Sequence, residues 1–159
     1  MYNCFDVAKQ FLKLAKEDGV GIEPMKLLKL TYIAHGWHLG FFGKPLISNT
    51  IEAWKYGPVI PDLYHVTKTF GFSNVDINTF QIRSTTELKE DDAKFLKVIW
   101  DNYKQFSGLD LSTKTHLNDT PWKETYDGSF NKVIDNATIE KYYKNLIANP
   151  PKIETAEHA

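Results

Sequence analysis

Residues 24–42, PMKLLKLTYIAHGWHLGFF, are the stretch that most narrows what this chain can fold into. Leu27, Leu28, Thr31, Ala34, Trp37, His38 and Phe41 recur at spacings of three and four, which places them on one face of a helix. Leu30 and Ile33 widen that face beyond the stripe of a surface helix, so other elements must cover this helix on more than one side. Pro24 suits a first helical turn, where its missing N–H would have no partner anyway. Gly43-Lys44-Pro45 supplies the stop. Gly36 and Gly40 lie inside the helix, where glycine costs up to about 1 kcal/mol against alanine. Their presence reads as close approach of a neighbouring helix.

The remaining elements arrange themselves around this one. Residues 4–18 read as a first helix, with Phe5, Ala8, Phe11, Leu12 and Ala15 inward, Asn3 or Asp6 as its cap and Gly19 as its end. Leu46-Ile47 and Ile51–Trp54 read as short extended pieces, and Tyr56-Gly57-Pro58-Val59-Ile60-Pro61 as a stiff turn into a third helix over 61–70. Residues 72–83 suggest a small hairpin. Ser84-Thr85-Thr86-Glu87 resembles a capping box for a helix over 91–106 that Gly108 would stop. A short helix through His116 follows, with Asp110 or Ser112 as cap, then one opened by Pro121 and a last one over 136–147. Residues 1–150 thus form one domain and 151–159 a flexible tail. The fold class is mainly α (α+β): a compact single-domain helical bundle around the central helix 24–42, with a small short-stranded sheet.

Composition bounds the function. A chain of 159 residues can bury about two-thirds of its unfolded surface in one core. Its net charge is −1, so it carries no bulk positive charge for nucleic acid or anionic lipid, and neither is expected as a partner. The single cysteine, Cys4, cannot form an internal disulfide or a thiolate zinc site. No stretch reaches the roughly 20 apolar residues of a membrane span. No basic region followed by an apolar run opens the chain. A cytoplasmic setting is the expectation.

Candidate chemistry is sparse. His35 and His38 lie three apart on the central helix, but no carboxylate flanks them to complete a metal set, so no metal and no cofactor is expected. His38 reads as a satisfied core or interface histidine and His35 as an exposed one. Ser112 and His116, at i and i+4, can share a hydrogen bond, yet no orienting acid or oxyanion hole can be located beside them. In the strand, Ile51 and Ala53 facing the core would leave Glu52 and Trp54 on the opposite face as a contact surface. Lys26, Lys29, Lys44 and Lys55 read as a solvated scatter of positive charge.

Three blocks of sequence carry more. They are Leu27–Leu39 with its Gly36-Trp37-His38, the run Ile51–Tyr64 with Ala53-Trp54-Lys55-Tyr56-Gly57-Pro58, and Ser107-Gly108, Leu111-Ser112, Thr115-His116 and Pro121-Trp122. Together they resemble the Panacea domain, also called the SocA-like antitoxin or phage-associated GepA family. The resemblance covers nearly the whole chain; the spacing between Thr115-His116 and Pro121-Trp122 is one residue longer than the family's tight form. It implies an antitoxin, not an enzyme, that neutralises a cognate protein toxin by direct binding. It also implies an alternative, an adaptor that delivers the toxin to a ClpXP-type protease. A third reading is an enzyme, a hydrolase or modifier of unknown substrate, built on His38, His116, Tyr56 and Trp122. The partner-binding candidates are Glu52, Trp54, Lys55, Tyr56 and His35. Trp37, His38, Gly57, Pro58, His116 and Trp122 are assigned to the scaffold, with truncation of a fully buried Trp37 costing about 3–5 kcal/mol. Toxin identity and oligomeric state do not follow from the sequence.

Overall fold

The computed structural model describes residues 1–150; the tail expected at 151–159 lies outside the described residues. Helix α1 spans Cys4–Glu17 and opens with a reciprocal cap, the Asn3 side chain taking a backbone N–H and the Asp6 carboxylate returning the favour at Asn3. Helix α2 spans Pro24–Phe42. The Glu23 carboxylate accepts from the N–H groups of Met25 and Lys26 at its start, and Gly43, at φ 65°, closes it in the left-handed region. Every residue from Leu27 to Gly36 is buried, nearly three helical turns with no face left to water. An all-round apolar helix is stable only inside a sheath.

That sheath is built from the rest of the chain. Helices α3 (Pro61–Thr67), α4 (Glu90–Tyr103), α5 (Gly108–Thr115) and α7 (Asn136–Ala148), together with α1, pack against α2; α6 is the short Pro121–Thr125. A three-stranded antiparallel sheet lies alongside: β1 (Glu52–Trp54) is central, flanked by β2 (Gly57–Val59) and β3 (Lys132–Val133). Its register pairs Ala53 with both Pro58 and Lys132. The fold is therefore α+β, a helical bundle around α2 with a small sheet. Tyr2 straps the N-terminus down. Its backbone bridges Leu46 and Ser48, and its hydroxyl donates to Asp92 at 2.5 Å while accepting from the Lys89 N–H.

Several local expectations are corrected. No hairpin forms at 72–83: Asp76 caps a single turn of 3-10 helix, Ile77–Phe80, which drives the Phe80 ring against Phe5, and leaves Ile82 88% exposed. Ser84 and Thr86 do not cap α4. The Ser84 hydroxyl and the Thr86 N–H both donate to buried Asp6, which needs those donors to lie in the core, and Lys89 precedes the helix instead. Gly108 does not end α4; it opens α5, whose cap is Ser107 with Asp110 reciprocating. A Cβ at residue 108 would lie 2.1 Å from Glu23 Oε1, so α5 starts hard against the start of α2. Phe41, expected inward, is 56% exposed because it stacks on the outer side of Trp37. Trp37 itself is half-buried: its Nε1–H donates to the Tyr103 hydroxyl at 2.8 Å and its ring meets the Tyr143 edge.

Candidate functional site

The turn joining β1 to β2 is held by three side chains from three helices. Trp122 Nε1–H of α6 donates to the Trp54 carbonyl at 2.5 Å, Ser112 Oγ of α5 to the Tyr56 carbonyl at 3.0 Å, and Lys29 Nζ of α2 to the Pro58 carbonyl at 2.8 Å. Alternate carbonyls along residues 54–58 are thereby pinned. Gly57, at φ 122°, allows the bend that presents them. The turn is rigid although it projects Lys55 and Tyr56 into solvent, Tyr56 being 70% exposed.

Beside this turn runs a groove of about 610 Å³. Its walls come from the first turns of α2 (Met25, Leu28), the turn itself (Trp54, Tyr56), α3 and the residues after it (Tyr64, Phe72), and the start of α5 (Leu109). Phe72 is 98% exposed and Leu109 70%, a concentration of apolar surface that a soluble face does not ordinarily carry at one place. The Trp54 ring stands edge-on to Tyr64 at 5.0 Å, and its indole N–H donates to Glu52 at 2.9 Å. Glu52 does not line the groove; it sets the orientation of Trp54. Lys55 reaches over the Tyr56 ring, with Nζ 5.5 Å from the centroid.

Lys29 lines this groove and is only 4% exposed, correcting its assignment to a solvated face. Desolvation brings its amine down to about 8. The signal was present in the sequence: a lysine between Leu28 and Leu30 on a helix covered all round has no wet side to occupy.

Of the two histidines of α2, His35 departs from its expected exposure and His38 is the satisfied, packed side chain it was expected to be. His35 is buried at 1% exposure and does not reach any partner-facing surface. Its Nδ1 accepts from the N–H groups of Leu46 and Ile47 at 3.2 and 3.3 Å, so the proton sits on Nε2, which donates to Asn136 Oδ1 at 2.9 Å. Burial pushes its pKa down to about 4, against a smaller opposing effect of the Asn136 bond. His38 is the more peripheral of the two: Nδ1 donates to the Lys44 carbonyl at 2.5 Å and the ring packs edge-on against Phe95.

Of the residues of the enzyme reading, His116, Trp122 and Tyr56 meet around the 54–58 turn, and His38 does not join them. His116 meets the Trp122 ring edge-on and Ser112 links α5 to Tyr56, whereas His38 sits about 13 Å further along α2 than Lys29. The side chains of Ser112 and His116 do not bond each other. His116 Nδ1 donates to the Ser112 backbone carbonyl, and the Ser112 hydroxyl is turned to Tyr56. Cys4 is fully buried, and desolvation, with smaller contributions from Asp62 and Asp6, pushes its thiol up to about 12.

Lys29, the 54–58 turn, Ser112 and Trp122 are far apart in sequence and meet at this one place. A family profile described as "Antitoxin SocA-like, Panacea domain" matches residues 27–123, a span that holds all of them. That is more than half of the chain, and the chain belongs to the SocA-like Panacea-domain family. Over 58 residues it is 43% identical to the protein named Antitoxin SocA of Caulobacter vibrioides (strain NA1000 / CB15N), which covers 36% of this chain and 31% of that protein. The chain therefore aligns with about a third of the length of this curated relative. No solved structure matches. Among the described residues no helix is long and apolar enough to cross a membrane.

Proposed function

We propose that this chain is an antitoxin that neutralises a protein toxin by binding it directly, and that the groove beside the 54–58 turn is the contact face. The observation that carries this reading is the pairing of exposed apolar surface with a backbone already held in place. Tyr56, Phe72 and Leu109 offer apolar area to a partner, and the clamped carbonyls of Trp54, Tyr56 and Pro58 mean that little ordering remains to be done on binding. Trp54, Lys55 and Tyr56 are the contact residues of this proposal; Glu52 acts by orienting Trp54. Membership of a family described as SocA-like antitoxin supports the class of partner.

The test is co-expression with the product of the adjacent reading frame. Growth arrest by that product alone, relieved by this chain and lost again with Leu109→Asp or Phe72→Asp in a normally melting protein, supports the proposal. Absence of both rescue and co-purification overturns it. A pulse-chase of the toxin in the same cells separates two modes of action. A shortened toxin half-life that depends on a ClpXP-type protease indicates delivery, and an unchanged half-life with growth restored indicates occlusion.

A further inference from the structure

We infer that the groove selects a polypeptide segment in which a carboxylate is set among apolar side chains, and that Lys29 is the residue that receives that carboxylate. The inference rests on the proposal that this groove is the toxin-contact face, and names the chemistry it takes.

An ammonium group has three protons to donate. Among the described residues Lys29 Nζ makes one hydrogen bond, to the Pro58 carbonyl, and belongs to none of the ion pairs. A charge so deeply placed is ordinarily matched by an opposite one, because its lost hydration is not recovered from a single carbonyl. The groove around it does not supply the match. Glu23 is the one acid among its lining residues, and both of its oxygens are held by the N–H groups of Met25 and Lys26 at the start of α2. The other charged lining residues, Lys55 and Lys68, are positive as well. Apart from Ser107, Ser112 and two tyrosines the walls are otherwise apolar, with Met25, Leu28, Val59 and Leu109 among them.

An occupant that fills this groove removes what water Lys29 still has. A purely apolar segment would then cover an unmatched cation and be penalised, whereas a segment with one Asp or Glu at that depth completes the hydrogen bonding and the charge together. Lys29 thus rejects as well as attracts, which is how a greasy surface remains selective. The depressed amine described above agrees with a group that lacks its counter-charge in the free protein. A polyanion is a poorer match, since one buried amine in an apolar trough offers no row of phosphate contacts.

The probe is an mRNA-display library of randomised 15-residue segments, selected on the full chain and on Lys29→Met in parallel. Enriched segments on the wild type are expected to carry an acidic residue flanked by apolar ones. Replacing that acid by Asn or Gln is expected to weaken binding about 30-fold or more on the wild type, the scale of a broken buried charge pair, and far less on Lys29→Met. The acid-to-amide swap leaves the protein untouched, so the result stands even where Lys29→Met melts early. Segments without acids, an equal loss on both proteins, or no segment whose binding is lost with Leu109→Asp would each overturn the inference. The co-expression assay separates the two claims. Wild type failing to rescue defeats the antitoxin reading and the inference with it; rescue by wild type and by folded Lys29→Met alike defeats the inference alone.

Discussion

Tyr143 of α7 lies so close to Gly36 of α2 that a Cβ at residue 36 would stand 2.1 Å from the tyrosine ring. One helical turn on, a Cβ at Gly40 would meet the Tyr143 Cβ at 2.8 Å and its backbone carbonyl carbon at 3.2 Å. The two glycines are a track along which α7 is laid, and the helix propensity lost at each is the condition for that contact.

Gly36→Ala is accordingly expected to destabilise the fold, although alanine is the better helix former by about 1 kcal/mol. The buried Tyr143 ring must shift, and overpacking of this kind costs about 1–3 kcal/mol. At Gly40 the obstacle includes backbone, so Gly40→Ala should cost at least as much. Urea denaturation followed by circular dichroism reads both; an unchanged midpoint for either would contradict the packing described.

His35 ties stability to pH on the acid side. Its pKa is about 4 in the folded chain against 6.5 unfolded, so below 6.5 the unfolded state binds the proton that the folded state refuses. The contribution is complete above pH 6.5 and is lost as pH falls through 4, reaching about 2 kcal/mol of loss by pH 5. The ring proton resonances of His35 should titrate near 4 in the native protein, and a value near 6.5 would refute the buried neutral tautomer.

Lys29 acts at the other end of the scale. Its amine, depressed from 10.5 to about 8, makes the charged form unfavourable in the fold, so below about pH 8 the folded state bears the cost of burying it. Between 8 and 10.5 the unfolded state holds more protons and stability rises, by about 3 kcal/mol at most. Cys4, Tyr32 and Tyr143, whose pKa values are raised by burial, pull the opposite way over the alkaline range. They titrate in Lys29→Met too, so the difference between the two proteins isolates the lysine. That difference should favour the wild type progressively from pH 8 to 10.

Trp37 is expected to matter less than a core tryptophan. It is half-buried, so Trp37→Ala should cost about 2–3 kcal/mol rather than the full range for a buried ring. Trp37→Phe keeps the contact with Tyr143 but strands the Tyr103 hydroxyl partner, for a loss of about 1 kcal/mol. Thermal melts of the pair separate packing from the hydrogen bond.

Ser112→Ala tests the clamp on the turn. Losing the donor to the Tyr56 carbonyl should cost about 1 kcal/mol in stability. The larger effect should be local, with faster amide exchange over residues 55–57 while the α2 core stays protected. Exchange that rises across the whole chain instead would show that Ser112 serves the core and not the turn.

Much of the architecture was legible because its signals are local. Asn3, Pro24, Gly43 and Pro121 sit at the helix ends where their backbone preferences put them, and the paired glycines of α2 announced a close neighbour. The alternation in 51–54 placed Ala53 in the core and turned Glu52 and Trp54 the other way. Where a local signal had a distant competitor, it failed. Ser84 and Thr86 look like a cap, yet buried Asp6, some 80 positions away, takes their hydrogen bonds.

What the sequence by itself determined is that residues 24–42 make a helix wanting cover on every side, and that the chain around it is short helices and scraps of strand. Which neighbour covers which side was decided only by the tertiary structure. A helix that is polar on one face has a direction, and each residue can be assigned to core or water by its angle from that face. Helix α2 has no such direction over Leu27–Gly36, so the order of residues can say that Lys29 is covered but not that a groove is what lies over it, nor that His35 sits deeper than His38. Those assignments come from α7, α5 and the 54–58 turn arriving against it, contacts between segments that are remote along the chain.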